Sequence, residues 1–298
     1  MNDQSTSVLK RQPAADEASE GGVAEVKSAA RTVLVLEFLA SQQNQPTRLR
    51  EISKALGVPK SSLYALLRTL SQHGWVRTDA SGTLYGIGIR ALMAGTSYLD
   101  TDPYLRLVQP SLDYAKEKLN ETIHFGRLDG TDIVYLATRE SSQYLRPYSR
   151  VGRRLPASTT AMGKALMAER TGPALDAILS DPLPQLTPNS IVDVEAMRTE
   201  LDATRQRGYS VDLQENTVGL HCFGFALRYA YPAMDAISCS VPIARLTPER
   251  REEIIAVMFD VRDQIERFAP APVRGGYDEL LAGFLVAAPP RNEIGSAR

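Results

Sequence analysis

The stretch LREISKALGVPKSSLYALLRTLSQHGW, Leu49–Trp75, places two short apolar-periodic segments on either side of a turn of a few residues. In the first, Leu49, Ile52, Ala55 and Leu56 recur at helical spacing, with Thr47 as a cap and Gly57 as a stop. Pro59 suits a first helical turn and opens a second helix whose inward face is Leu63, Leu66, Leu67 and Leu70, ending at Gly74. So short a connection forces the second helix across the first. Lys60, Ser61, Ser62, Tyr64 and Arg68 then lie on its outer face.

The flanking sequence completes the unit. From Val26, the positions Ala30, Val33, Leu36, Leu39 and Ala40 predict a preceding helix, which SQQNQP breaks. WVRTDASGTLYGIG alternates around Ser81-Gly82, as a hairpin does. Helix, helix-turn-helix and hairpin within residues 25–85 predict a winged helix-turn-helix whose second short helix fits a DNA major groove. Ser61 and Ser62 would meet phosphates or base edges, and Tyr64 the backbone or a thymine methyl. Lys60 and Arg68 would neutralise phosphates or read guanine, while Arg77 and Thr78 on the wing reach adjacent backbone.

Charge supports this. The chain's net charge is -1, yet Val26–Tyr85 carries eight bases, Arg48 among them, against three acids, and both flanking parts are acidic. Concentrated basic charge suits phosphate binding, although a compact three-helix protein-interaction domain would share the pattern.

Of the 298 residues, 43% are hydrophobic and 23% charged, enough for about two soluble domains. No apolar run reaches the roughly 18 residues that a membrane span needs, and the start of the chain lacks a signal-peptide apolar region, so a cytoplasmic location and no membrane partner are expected. Cys222 and Cys239 belong to no metal-ligand spacing, so no metal, cofactor or disulfide framework is expected. Residues 1–24, polar and acidic without periodicity, read as a disordered arm.

Residues 86–103 begin with the apolar run GIGIRALMAGTSYLD and read as a linker helix. Over residues 104–269 the pattern becomes α/β, of the α+β kind. Leu105–Leu119 is an amphipathic helix, ETIHFGRLDGTDIVYLATRE a strand hairpin around Asp129-Gly130, and MGKALMAE the start of a helix. DAISCSVP is a strand, and the helix TPERREEIIAVMFDVRDQIERF, capped by Thr247, closes the domain. Residues 270–298 form a Pro- and Gly-rich extension with one apolar run, DELLAGFLVAA.

The motifs LREISKALGVPKSSLYALLRTL, VGRRLPASTTAMGKALMAE, RGYSVDLQENTVGLHC and AISCSVP, in this order, resemble those of the IclR-type bacterial transcriptional regulators over roughly Val26–Ala269. The resemblance implies a GAF-like effector-binding domain with an antiparallel sheet, and a homodimer or homotetramer. The partners it implies are a pseudo-palindromic double-stranded DNA operator and a small-molecule effector. It also implies a pocket formed by the start of the AMGKAL helix, the loop before Cys222 and the strand of Ser238 and Ser240.

The chemistry of those residues agrees. The amides of Ala161, Met162 and Gly163 would open a helix at its positive end, where a carboxylate binds. Ser238 and Ser240, two apart on a strand, would donate to the same anion. Asp212 and Cys222 would close the polar side, and Leu220, Leu136, Leu145 and Tyr144 the apolar side. An organic, aromatic or sugar acid is the expected effector. FGFALRYAYPAMD, bulkier than the small residues many relatives carry after the cysteine, points to an effector different in size from small keto acids.

Two alternatives compete. One is a redox or metal sensor using Cys222 and Cys239. The other is an enzyme with a DNA-binding appendage, built from His124, His221, Cys222 and Asp212. Neighbours on a strand point to opposite faces, so His221 and Cys222 cannot form a dyad, and no catalytic residue is expected.

Overall fold

The computed structural model describes residues 25–42, 45–147, 150–269 and 273–274. The expected arm at 1–24 lies outside these residues, as does the extension except for Val273–Arg274. Contacts divide the chain into two compact units, one ending at Thr101 and one beginning at Asp102.

The first unit comprises α1 (Lys27–Ser41), β1 (Thr47–Arg48), α2 (Leu49–Leu56), α3 (Lys60–Gln72), β2 (Val76–Thr78), β3 (Leu84–Ile87) and α4 (Ile89–Thr101). Its sheet runs β1-β3-β2, all antiparallel. Leu63, Leu67 and Leu70 of α3 pack with Ile52 and Val58 against Val35, Phe38 and Leu39 of α1.

Four expectations need correction. The buried face of α1 is Val35, Phe38 and Leu39, while Val33 and Ala40 are exposed: the helix is apolar nearly all round, so its periodicity fits two faces. Ala55 is exposed, and Val58 from the turn fills the core instead. Thr47 lies buried in β1 rather than capping α2; the cap position is Arg48, whose amide donates to Glu51 Oε2 at 3.0 Å. Gly86 and Ile87 end the wing strand β3, so the linker helix begins only at Ile89.

The second unit comprises α5 (Pro103–Leu119), β4 (Thr122–Asp129), β5 (Asp132–Arg139), β6 (Arg154–Pro156), α6 (Ala161–Ala168), α7 (Pro173–Asp176) and α8 (Val194–Arg207). There follow β7 (Ser210–Leu213), β8 (Leu220–Leu227), β9 (Ala230–Tyr231), β10 (Asp235–Pro242), α9 (Pro248–Phe268) and β11 (Val273–Arg274). The antiparallel sheet β6-β5-β4-β10-β8-β7 is its centre, and β11 pairs with β9 in parallel. Thr247 caps α9 as expected, accepting from the Arg250 amide at 3.1 Å.

Strand alternation divides the side chains between two layers. Phe223, Phe225 and Arg127 face α5 and α9, where Phe225 meets Phe259 edge to face at 5.0 Å. Ala226, Ala236 and Tyr135 face α6 and α8, packing with Met162, Leu166, Met197 and Leu201. The polar residues of interest share this second face.

Candidate functional site

In the first unit, Lys60, Ser61, Ser62, Tyr64 and Arg68 are exposed on α3, Tyr64 by 53%, with the leucine stripe beneath them. Arg48, Arg77 and Thr78 are also exposed. Among the described residues none of Arg48, Lys60, Arg68 and Arg77 is in an ion pair, so four cations present their charge to solvent on one small unit. The wing turn is held by Asp79. Its carboxylate accepts from the Ser81 hydroxyl and from the amides of Thr83 and Leu84 at 2.8 Å. These bonds, the Ser81 hydroxyl first, pull its pKa down to about 2.

In the second unit, register gathers the expected effector-binding residues on one sheet face. Ser240 pairs with Cys222, Ser238 with Gly224 and His124, and Asp212 with Cys222. All therefore face α6. Ser238, Ser240, Asp212 and His124 are buried, so the serines are not solvent-facing strand residues. The Ser240 hydroxyl donates to Cys222 Sγ at 3.1 Å. Leu220 lies half-buried on the same alternation as Cys222, opposite Pro242.

Asp212 has two duties. Its Oδ1 accepts from the amides of Glu215 at 2.7 Å and Asn216 at 3.3 Å, shaping the loop that follows β7. Burial first, then the Glu215 charge, raises its pKa to about 6. Burial, and next Asp212, pushes the Cys222 thiol well above its usual range, so it stays protonated and unreactive.

The helix start departs from expectation at Gly163. Ala161, Met162 and Gly163 are all buried there, but the Gly163 amide donates to Thr160 Oγ1 at 3.0 Å. A Cβ at Gly163 would come 2.1 Å from the Ala157 carbonyl oxygen, and one at Gly224 within 2.4 Å of the Ala161 backbone. The glycines thus let the helix start sit directly on the turn before it and on the sheet. Gly163 is a packing residue rather than an anion donor, which leaves the Ala161 and Met162 amides as the candidate donors. Tyr144 is fully exposed and Leu145 58% exposed, so neither seals an apolar wall; Leu136 is buried at the β4–β5 bulge.

His124, in the sequence only a candidate catalytic group, sits here among Tyr135, Thr138 and Arg153, none of which the motifs single out. His124 Nδ1 lies 3.1 Å from Thr138 Oγ1, and its ring meets Tyr135 edge to face. Burial, with the Arg153 charge second, lowers its pKa to about 3, so the imidazole is neutral at pH 7. Burial also raises the Tyr135 hydroxyl, with Cys222 next in effect. The only signal in the sequence was the polar alternation of Thr122, His124 and Thr138 on strands that otherwise read apolar.

This chemistry bears on the alternatives. A neutral imidazole and a protonated thiol are the reverse of an activated Cys-His pair. His221 lies on the α9 face, away from Cys222, and burial followed by the Arg251 charge lowers its pKa. Cys239 pairs with Phe223 while Cys222 pairs with Ser240, so the two thiols point to opposite faces of the sheet. Among the described residues no group of three or more His, Cys, Asp or Glu could hold a metal ion, and no helix is long and apolar enough to cross a membrane.

An exposed recognition helix and wing on one unit, followed by a separate sheet-and-helix unit, define a DNA-binding transcriptional regulator. The family profile described as bacterial transcriptional regulator IclR C-terminal matches residues 96–267, and that of the IclR helix-turn-helix domain matches residues 28–80. The chain is 31% identical over 198 residues to the HTH-type transcriptional regulator XynR of Escherichia coli K12, covering 66% of this chain and 78% of that protein. It is 30% identical over 260 residues to the transcriptional repressor IclR of the same organism, covering 86% and 93%. A solved transcriptional regulator from Rhodococcus sp. RHA1 superposes with a TM-score of 0.68 at 28% identity, over 82% of this chain and 98% of that one. The chain belongs to the IclR family of bacterial transcriptional regulators and is a regulator rather than an enzyme.

Proposed function

We propose that the second unit binds a small organic, aromatic or sugar acid on the α6 face of its sheet, and that occupancy changes the affinity of the winged helix for its operator. The observation that carries this is the burial of His124, Asp212, Ser238 and Ser240 on one sheet face, beside Cys222. A core needing only stability would fill that face with apolar side chains, since buried polar groups cost free energy unless bonded. The Ser238 hydroxyl and the Ala161 and Met162 amides supply donors for a carboxylate, the Ser240 hydroxyl joins them by turning away from Cys222 Sγ, and Tyr135 and His124 supply ring surface. Ligand-to-DNA coupling of about 1 to 3 kcal/mol would alter operator affinity roughly 5- to 150-fold.

On the DNA side, Lys60, Ser61, Ser62, Tyr64 and Arg68 enter the major groove, with Arg48, Arg77 and Thr78 on flanking phosphates. One winged helix covers too little DNA for operator-grade specificity, so two copies bind a pseudo-palindrome. The surface for pairing is α4, which has no buried residue among the described residues and presents Ile89, Leu92, Met93 and Tyr98, together with Val33 and Leu34 of α1.

The test is a thermal-shift screen of acids followed by mobility-shift titration on an operator selected from random duplexes. Ser238→Ala/Ser240→Ala should bind operator as the parent does without ligand, yet lose the response to the acid that the screen selects. A double mutant responding at parental concentrations would place the pocket elsewhere.

A further inference from the structure

Three buried side-chain polar atoms lack a hydrogen-bond partner among the described residues, and two of them, Ser158 Oγ and Glu215 Oε2, belong to the second unit. Their residues are only 5% and 4% exposed. Their chain neighbours touch: Asn216 Nδ2 donates to Thr159 Oγ1 at 3.5 Å, joining the turn that leads into α6 to the loop that hangs from Asp212. The first segment leads into α6 and the second follows Asp212 at the end of β7, so both adjoin the sheet face proposed above to bind the effector.

The chemistry of the two atoms is complementary. Glu215 Oε1 is committed, accepting from Lys164 Nζ at 2.5 Å and from the Leu213 amide at 3.3 Å. Oε2 therefore needs a donor, whereas the Ser158 hydroxyl can donate. A second anion is unsuited to this end of the site: Lys164, the buried ammonium there, is already paired with Glu215 at 2.5 Å and lies 3.7 Å from Glu200, while the Asp212 carboxylate, held by the Glu215 and Asn216 amides, adds a further negative charge. A neutral hydroxyl meets both needs, giving its proton to Glu215 Oε2 and accepting one from Ser158 Oγ.

We propose that Ser158 and Glu215 form a hydroxyl-recognising subsite, so that the effector is a hydroxylated carboxylic acid with its acid group toward Ser238, Ser240 and the start of α6. This rests on the effector-pocket reading above and narrows it. A carboxylic acid lacking the hydroxyl leaves both buried atoms unpaired and binds less tightly.

Matched acids test this on the full chain by thermal shift and calorimetry: D-gluconate against hexanoate, glycerate against propanoate, and 4-hydroxybenzoate against benzoate. The expected result is that at least one hydroxylated acid binds about 10-fold or more tightly than its counterpart, as a bond to a buried charged acceptor warrants. Ser158→Ala should shrink that ratio while leaving the weaker affinity of the counterpart in place. The selectivity of the parent is read first and depends on no variant. Equal binding of both members of every pair, or an equal loss for both on Ser158→Ala, assigns the two atoms to a structural water and overturns the subsite while the effector pocket stands. Silence from all six acids in the parent overturns the pocket and the subsite together.

Discussion

Arg127 and Asp235 form a two-point ion pair beneath α5, Nε to Oδ1 at 2.6 Å and Nη2 to Oδ2 at 2.7 Å, with both side chains almost wholly buried. The third nitrogen donates to Asp102, which caps α5 by accepting from the Leu105 amide at 2.9 Å, and the Tyr229 hydroxyl donates to Asp235 at 2.6 Å. Removing the arginine strands two buried carboxylates. Arg127→Leu should therefore cost about 3 to 5 kcal/mol in urea unfolding. Replacing Asp102, Arg127 and Asp235 together by Asn, Met and Val should recover most of that, because the desolvation cost goes with the charges. A single mutant near parental stability would show that the cluster is wetter than its burial indicates.

Two buried groups on the α6 face of the sheet give opposing pH dependences. Asp212 titrates near 6 in the fold against 3.8 ordinarily, so between these values the folded chain holds a proton that the unfolded chain has lost. Its contribution, about 3 kcal/mol at most, is present below the lower value and lost as pH rises through 6. His124 behaves oppositely: lowered from 6.5 to about 3, it refuses a proton that the unfolded chain binds, so acidification through this window destabilises the fold. Relative to the parent, His124→Gln should gain stability as pH falls from 6.5 to 4, and Asp212→Asn should gain it as pH rises from 4 to 7. Urea midpoints across that range check both slopes; parallel curves would mean that neither group is desolvated.

Arg68 is exposed on α3 opposite Leu63, Leu67 and Leu70 and in no ion pair among the described residues. Arg68→Ala should leave the melting midpoint unchanged and weaken operator binding. If the guanidinium lies on a phosphate, the slope of log affinity against log salt falls by about one; if it reads guanine, the loss is about 1 to 3 kcal/mol at one base position. Affinity equal to the parent across a salt series would remove α3 from the groove.

The difference between what was legible and what was not follows from the range of the interactions. The α3 stripe was readable because four leucines at helical spacing leave one solution, and the hairpin turns because Gly82 and Gly130 sit between alternating runs. The face of α1 was not, since Val33 to Ala40 is apolar at every position but Glu37 and only tertiary packing selects among the faces. Ser238, Ser240, Asp212 and Cys222 were named from a resemblance to known motifs, and strand register then placed them on one face. His124 joins them through its pairing with Ser238, and Arg127 meets Asp235 through the same β4–β10 pairing; neither partner is close in sequence, so no local pattern announces it.

Among the described residues, α4 has no covered face. A 13-residue helix with no buried position would be a poor choice for a solvated surface when Ile89, Leu92 and Met93 are 67%, 60% and 57% exposed. Ile89, Leu92 and Met93 fall three and four apart, so they share one face and make a continuous apolar stripe rather than scattered contacts. Burying that stripe against a second copy removes it from water at about 25 cal/mol per Å2, and placing a carboxylate there sets a desolvation cost against the same surface. Leu92→Glu/Met93→Glu should thus shift the chain toward monomer in light scattering at micromolar concentration, with the melting transition of the second unit preserved. Operator affinity should fall far more than affinity for a single half-site, because only the paired form spans both. A double mutant that remains an oligomer and binds the full operator as the parent does would assign the pairing surface to another face.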